Sequence, residues 1–176
     1  MRTITLTSLN DLLKNADVKS RVKSELKFIK STKLIGDDWD KYELLAVTDR
    51  TGDKGVLLLQ PEDDLYVVQY ELSRKIIDAQ TGRQRGIICD FCYTWQQGSN
   101  AASITFSLAQ SKRTIRFLCC GDLLCSQHVR TNTKESLVSR TQLRENLTNE
   151  DRIARLKARL NEKITQLELK QVETTT

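Results

Sequence analysis

All five cysteines and the single histidine of this 176-residue chain fall between residues 89 and 128. Four of the thiols form two close pairs, Cys89-Asp90-Phe91-Cys92 and Cys120-Gly121-Asp122-Leu123-Leu124-Cys125, with 27 residues between them. Each pair can supply two corners of a tetrahedron, and an insert that runs out and back brings the second pair over the first. The chemistry this predicts is structural zinc binding: four thiolates are soft ligands that suit zinc, whereas calcium and magnesium want oxygen. The ligands read from the spacing are Cys89, Cys92, Cys120 and Cys125. Cys119 and His128 stand close enough in sequence to replace Cys120 or Cys125. Cys119 shares a strand face with Ile115 and Phe117, which points to packing, and His128 reads as a helix-surface residue.

Other cysteine chemistries fit less well. A redox dithiol needs one Cys-x-x-Cys and has no use for a second pair. Met1 opens the chain with no charged segment followed by an apolar one, so the expected location is the reducing cytoplasm, where disulfides are rare. The composition, 39% hydrophobic and 29% charged with one proline and no apolar run near 18 residues, describes a soluble globular protein without a membrane span. The net charge of +5 gathers mainly in residues 83–130, which carry +4, while 1–82 carry −1. Thiolates around one zinc ion are net negative, so cations nearby have an electrostatic reason to be present before any partner is invoked.

The elements that must position the thiols can be read from the flanking residues. Gly86-Ile87-Ile88 enters as a strand, Cys-x-x-Cys turns the chain, and Gln97-Gly98-Ser99-Asn100 is rich in turn formers. Ser103 to Ala109 and Arg113 to Cys119 form a predicted hairpin, and Cys125 begins a helix. Knuckle, hairpin and helix-borne second pair describe a treble-clef finger over 86–130. Upstream, Leu44–Thr48 and Val56–Gln60 flank a turn-rich segment, and Leu65–Tyr70 is a third strand, with the sheet continuing through Ile87-Ile88 into the finger. Asp49 and Asp53 read as turn formers, as do Asp37, Asp38 and Asp40. Residues 1–35 read as helical, with Ser8 or Asn10 capping a turn that holds Leu9, Leu12 and Leu13, and Asp17 capping a second helix through Val18, Val22, Leu26 and Ile29. Residues 131–147 read as a linker. From Thr148 to about Leu169 Ile153, Leu156, Leu160, Ile164 and Leu167 make one apolar stripe behind a capping-box sequence, a helix whose stripe favours internal packing, with Val172 to Thr176 fraying beyond it. The fold class is α+β: an antiparallel sheet with a treble-clef zinc finger, N-terminal helices and a long C-terminal amphipathic helix over 148–170.

Cys89-Asp90-Phe91-Cys92, together with Phe117 through Arg130, resembles the treble-clef zinc finger of the FBP family, which includes the elongation factor G-binding, FusB-type fusidic acid resistance proteins. Leu143-Arg144-Glu145-Asn146-Leu147-Thr148 leading into Ile153-Ala154-Arg155-Leu156 is similar to the tail that follows the finger in short, actinobacterial-like members, and Asp37-Asp38-Trp39-Asp40 is similar more weakly. The FusB-type proteins can carry Cys-x4-His as the second pair, where this chain has cysteine at both places. The resemblance implies binding to elongation factor G and an influence on its residence on the ribosome.

No enzyme is expected. One histidine beside a thiolate-filled metal site leaves no Ser-His-Asp or Cys-His arrangement, and four-sulfur zinc has no open position for water. Two binding roles remain: a protein that docks on elongation factor G, and a finger that binds RNA or the ribosome. Lys112, Arg113, Arg116 and Arg130 are the candidate partner-binding cations, with Tyr93, Phe91 or Trp95 as candidate stacking aromatics. The modest total charge fits protein docking better than strong RNA binding, and the strand from Lys112 to Phe117 is the expected docking edge.

Overall fold

The computed structural model describes residues 6–16, 18–26, 41–107, 113–131 and 147–172. Its elements are α1 (Leu6–Asn15), α2 (Ser20–Glu25), β1 (Leu44–Thr48), β2 (Lys54–Leu59), β3 (Tyr66–Ser73), β4 (Ile87–Ile88), β5 (Trp95–Gln96), β6 (Ala101–Ser107), β7 (Thr114–Cys120), α3 (Cys125–His128) and α4 (Asn149–Gln166). Expectations at Asp17, Ile29, Asp37, Asp38, Asp40 and Lys112, and for the linker after Thr131 as far as Asn146, lie outside the described residues.

Five strands form one antiparallel sheet in the order β1-β2-β3-β6-β7. The turn between β1 and β2 is built by Asp49, whose Oδ1 accepts from Thr51 Oγ1 at 2.9 Å and from the Gly52 amide at 2.8 Å, while Gly52 takes φ +79°. This is the local use of Asp that the sequence suggested. The expected route of the sheet is corrected: β3 pairs directly with β6, and β4 pairs only with β5 in a separate two-stranded ribbon. Alternation along β3 explains it. Its inward residues Val68, Tyr70 and Leu72 need a long partner to continue the core, which the seven-residue β6 supplies and two-residue β4 cannot.

Because strand side chains alternate, the sheet buries both faces with different partners. One face carries Leu44, Leu57, Leu59, Val68, Tyr70, Ile104 and Phe106, and packs against the finger and the Leu156, Leu160, Ile164 and Leu167 stripe of α4. The other carries Leu45, Val47, Val56, Leu58 and Val67, and is covered by Leu9, Leu12, Leu13 and Val22 of the N-terminal helices and by Val18 between them. The α4 stripe is therefore internal packing, as its periodicity suggested, and Thr148 with Asp151 closes the capping box. The helix ends at Gln166, with Leu167 as its C-cap. Three N- and C-terminal expectations change. Ser8 and Asn10 lie within α1 rather than at its cap, and Lys19 is the N-cap residue of α2. Val172 does not fray: its amide donates to Leu65 O at 2.9 Å and its side chain joins the core under the N-terminal helices.

Candidate metal centre

The first pair of thiols sits in a tight turn between β4 and β5. The Cys89 amide donates to Thr94 O at 3.1 Å and the Tyr93 amide to Cys89 O at 3.0 Å, closing the knuckle. Tyr93 leaves it at φ +61°, a conformation that costs a non-glycine residue on the order of 1 kcal/mol and must be compensated by its surroundings. The second pair straddles an equivalent turn between β7 and α3, where the Leu123 amide donates to Cys120 O at 3.1 Å and Leu123 takes φ +58°. The two turns are tied together at the strand ends. The Asp90 amide donates to Leu118 O at 2.9 Å, and Asp90 Oδ2 accepts from the Leu118 amide at 2.7 Å.

This construction gathers Cys89, Cys92, Cys120 and Cys125, all buried, so that their sulfurs lie within 4.8 Å of one another. Sulfur–sulfur edges of the cluster are 3.8 Å for Cys89–Cys125, 3.5 Å for Cys92–Cys120 and 3.9 Å for Cys120–Cys125. A tetrahedron of sulfurs at the usual zinc–sulfur distance of 2.3 Å has an edge of about 3.8 Å, whereas a disulfide would need about 2.05 Å. The donor set fits zinc. Electrostatics agrees: in the absence of a cation, burial and the neighbouring thiols push Cys120 well above the ordinary thiol range, and only a dication at the centre lets four buried thiolates coexist.

Cys119 is buried one residue away and stands outside the four-sulfur cluster. Burial, then the charges of Cys89 and Cys92, push its thiol up, so it remains neutral and packs in the core with Ala102 and Phe106. His128 is corrected. It is fully buried rather than on the helix surface, and its Nε2 lies 3.1 Å from Asp122 Oδ1. A carboxylate only accepts, so Nε2 carries the proton. Burial works against the Asp122 charge, but the bonds from His128, the Leu124 amide and Asn100 outweigh it and hold the carboxyl below its usual range. Asp122 and His128 thus brace the second turn, with Asn100 bridging Asp122 to Gln96.

Other sequence-predicted site residues disperse. Phe91 is buried against Phe117 at a ring-centroid distance of 6.0 Å, which removes it as a stacking residue. Arg130 gives its guanidinium to Glu43 at 2.7 and 2.9 Å and to Ser126 O at 2.8 Å. It locks α3 to the residue before β1 instead of reaching outward. Arg116 lies on the solvent face of β7, with Nε on Thr105 Oγ1 at 3.3 Å, and Arg113 is exposed just before the strand. Tyr93 is half-exposed and covered by Arg155 and Arg159 of α4, whose guanidinium carbons lie 4.8 and 5.6 Å from its ring centroid. The sequence reading assigned no role to Ser126 or to those two arginines. Ser126 Oγ accepts from the Glu43 and Leu44 amides at 3.1 Å each, fastening the finger to the sheet across more than eighty residues.

The fold and site define a treble-clef zinc-finger protein whose finger is built into a larger α+β core, with one structural zinc held by Cys89, Cys92, Cys120 and Cys125. A family model described as the FBP C-terminal treble-clef zinc-finger matches residues 18–167, and the chain belongs to that family. No curated protein and no solved structure matches the chain. Among the described residues, no helix is long and apolar enough to cross a membrane.

Proposed function

We propose that this chain is a non-catalytic, zinc-stapled factor that binds elongation factor G and promotes its release from the ribosome, in the manner of FusB-type fusidic acid resistance proteins. The observation that carries the reading is family membership over residues 18–167, a span that includes the finger and the helix packed behind it. The zinc contributes folding energy and a fixed turn geometry, with four thiolates occupying every coordination position.

The edge of β7 supports a docking role. It is the terminal strand of the sheet, and the Leu118 amide and carbonyl point away from β6 towards Asp90. Antiparallel alternation then directs the backbone groups of Thr114 and Arg116 outward as well. With Arg113 and Arg116 exposed beside them, this edge offers hydrogen bonds and positive charge to a partner surface. A factor of this kind acts without chemistry: it shifts the conformational equilibrium of elongation factor G by its differential affinity for the departing state.

The test is sedimentation of fusidic-acid-stalled ribosomes carrying elongation factor G. Adding the zinc-loaded protein should lower the amount of factor that pellets. Arg113→Glu with Arg116→Glu should abolish this while zinc content and folding stay unchanged. Undiminished pelleting with the wild-type protein would contradict the release role, and full activity of the double variant would remove β7 from the interface.

A further inference from the structure

Ile77, Ile88 and Trp95 are three of the six large apolar side chains that stand exposed among the described residues, and all three fall on one small ribbon. Its middle strand runs from Arg83 to Ile88 and has a neighbour on each side. On one side β5 pairs with β4 and places Trp95 opposite Ile88. On the other, Ile77 bridges to Gln84, with the Arg85 amide donating to Ile76 O and the Asp78 amide to Arg83 O, each at 2.9 Å. Residues directly opposite one another share a face, and alternation along the middle strand groups Gln84, Gly86 and Ile88. Ile77, Ile88 and Trp95 therefore look the same way, at 58%, 37% and 40% exposure. The reverse face is closed, since Ile87 and its partner Gln96 are buried.

Two features set this face apart from scattered surface apolar residues. First, Trp95 is held in place. A Cβ on Gly86 would lie 3.0 Å from Trp95 Cζ2, so the indole rests against bare backbone. A ring already positioned loses little freedom on binding, and tryptophan is enriched among the residues that dominate interface energies. Second, the rim is cationic. Lys75, Arg83 and Arg85 are exposed around the face. Asp78 is the one carboxylate between Arg74 and Ile88, and its Oδ1 serves its own turn, accepting from the Gln80 amide at 3.0 Å, the Thr81 amide at 2.8 Å and Thr81 Oγ1 at 3.0 Å. The ribbon is also fixed against the β7 edge, because Asp90, two residues beyond Ile88, bonds both backbone groups of Leu118.

An apolar centre built on a fixed tryptophan and ringed by cations has the chemistry of a docking site for an acidic protein surface. We infer that the ribbon face of Ile77, Gln84, Ile88 and Trp95 docks an acidic, apolar-bearing patch of elongation factor G; this rests on the proposed function and extends its interface beyond the β7 edge. Charge selects this occupant over a second copy of the chain, which would bring Lys75, Arg83 and Arg85 against their own kind. The aliphatic Ile77 and Ile88 offer no ring for a base to stack on, which disfavours nucleic acid. Gln84 stands opposite Ile77 in the middle of the face, and its amide would lie unpaired in lipid hydrocarbon, whereas a protein surface can hydrogen-bond it.

The test is calorimetric titration of the full zinc-loaded chain into purified elongation factor G, with zinc content and melting checked for each variant. Trp95→Ala weakens binding by about tenfold or more. Ile77→Ser lies at the far end of the ribbon from the thiols, so it keeps the test valid if Trp95→Ala loses zinc, and it weakens binding by about fivefold. Lys75→Glu with Arg83→Glu weakens binding most at low salt and flattens its salt dependence. If the wild-type protein does not bind, the elongation factor G reading falls and this inference with it. If the wild type binds and Trp95→Ala and Ile77→Ser bind as tightly, the ribbon face is excluded while that reading stands. The inference is likewise overturned if the wild type sediments as a dimer that Trp95→Ala dissolves, or if Trp95→Ala abolishes binding to phosphatidylserine vesicles or oligouridylate while leaving the affinity for elongation factor G unchanged.

Discussion

Removing one oxygen atom should reveal how firmly the finger is joined to the sheet. Ser126→Ala deletes the hydroxyl that accepts from the Glu43 and Leu44 amides at 3.1 Å each and donates to Leu44 O at 3.4 Å. All three residues are buried. Two buried amides lose their acceptor, and each such orphan costs about 1–3 kcal/mol, so the expected loss is about 2–6 kcal/mol. For a chain of this length each kcal/mol moves the midpoint by about 2–4 °C, which gives a fall of roughly 4–24 °C. Circular dichroism melting of wild-type and variant proteins, with zinc measured in both, reads the effect. The variant should keep its full complement of zinc, since the Ser126 hydroxyl bonds the Glu43 and Leu44 backbone rather than a sulfur. A midpoint within about 2 °C of wild type would refute the reasoning that this hydroxyl carries the finger-to-sheet connection.

Further outcomes follow from the same packing. The four zinc ligands share one core with β1, β2, β3, β6 and α4, so chelating the metal, or Cys89→Ser or Cys120→Ser, should lower the melting point of the whole chain and not just loosen the finger; melting unchanged after verified zinc loss would contradict this. Asp49 sets a pH dependence. Burial pushes its carboxyl up, yet the bonds from Thr51, Gly52, Lys54 and Asp53 outweigh burial and leave its pKa below the ordinary 3.8. A folded pKa below the unfolded one stabilises the protein above the unfolded value, and that contribution is lost as pH falls through the folded value. Asp49→Asn should therefore reduce the dependence of melting temperature on pH below about pH 4, and parallel curves for the two proteins would argue against the turn bonds.

The local parts of this fold were legible in the sequence for local reasons. Two thiol pairs at metal-binding spacing, a turn-rich insert between strand-like runs, and a capping box ahead of an apolar stripe each depend on neighbours within a few residues, and each stands as read. What could not be read depends on which distant elements meet. Ile87-Ile88 has strand chemistry, but only the competition between a two-residue and a seven-residue partner for β3 decides the sheet order. His128 has no sequence neighbour that reports burial, and its Asp122 partner serves a turn at the same time. Arg130 looked free because Glu43, which takes its guanidinium, is 87 residues away. The pairing of Tyr93 with Arg155 and Arg159 likewise needs α4 to lie across the knuckle, which no spacing rule supplies.

The most direct test of the central claim is the binding of purified, zinc-loaded protein to purified elongation factor G, measured by calorimetry in nuclease-treated samples at low and moderate salt. Saturable one-to-one binding is expected, persisting without nucleic acid and weakening only modestly with salt. No detectable binding under these conditions by a protein with one bound zinc would contradict it, and would leave the folded finger in search of a different partner.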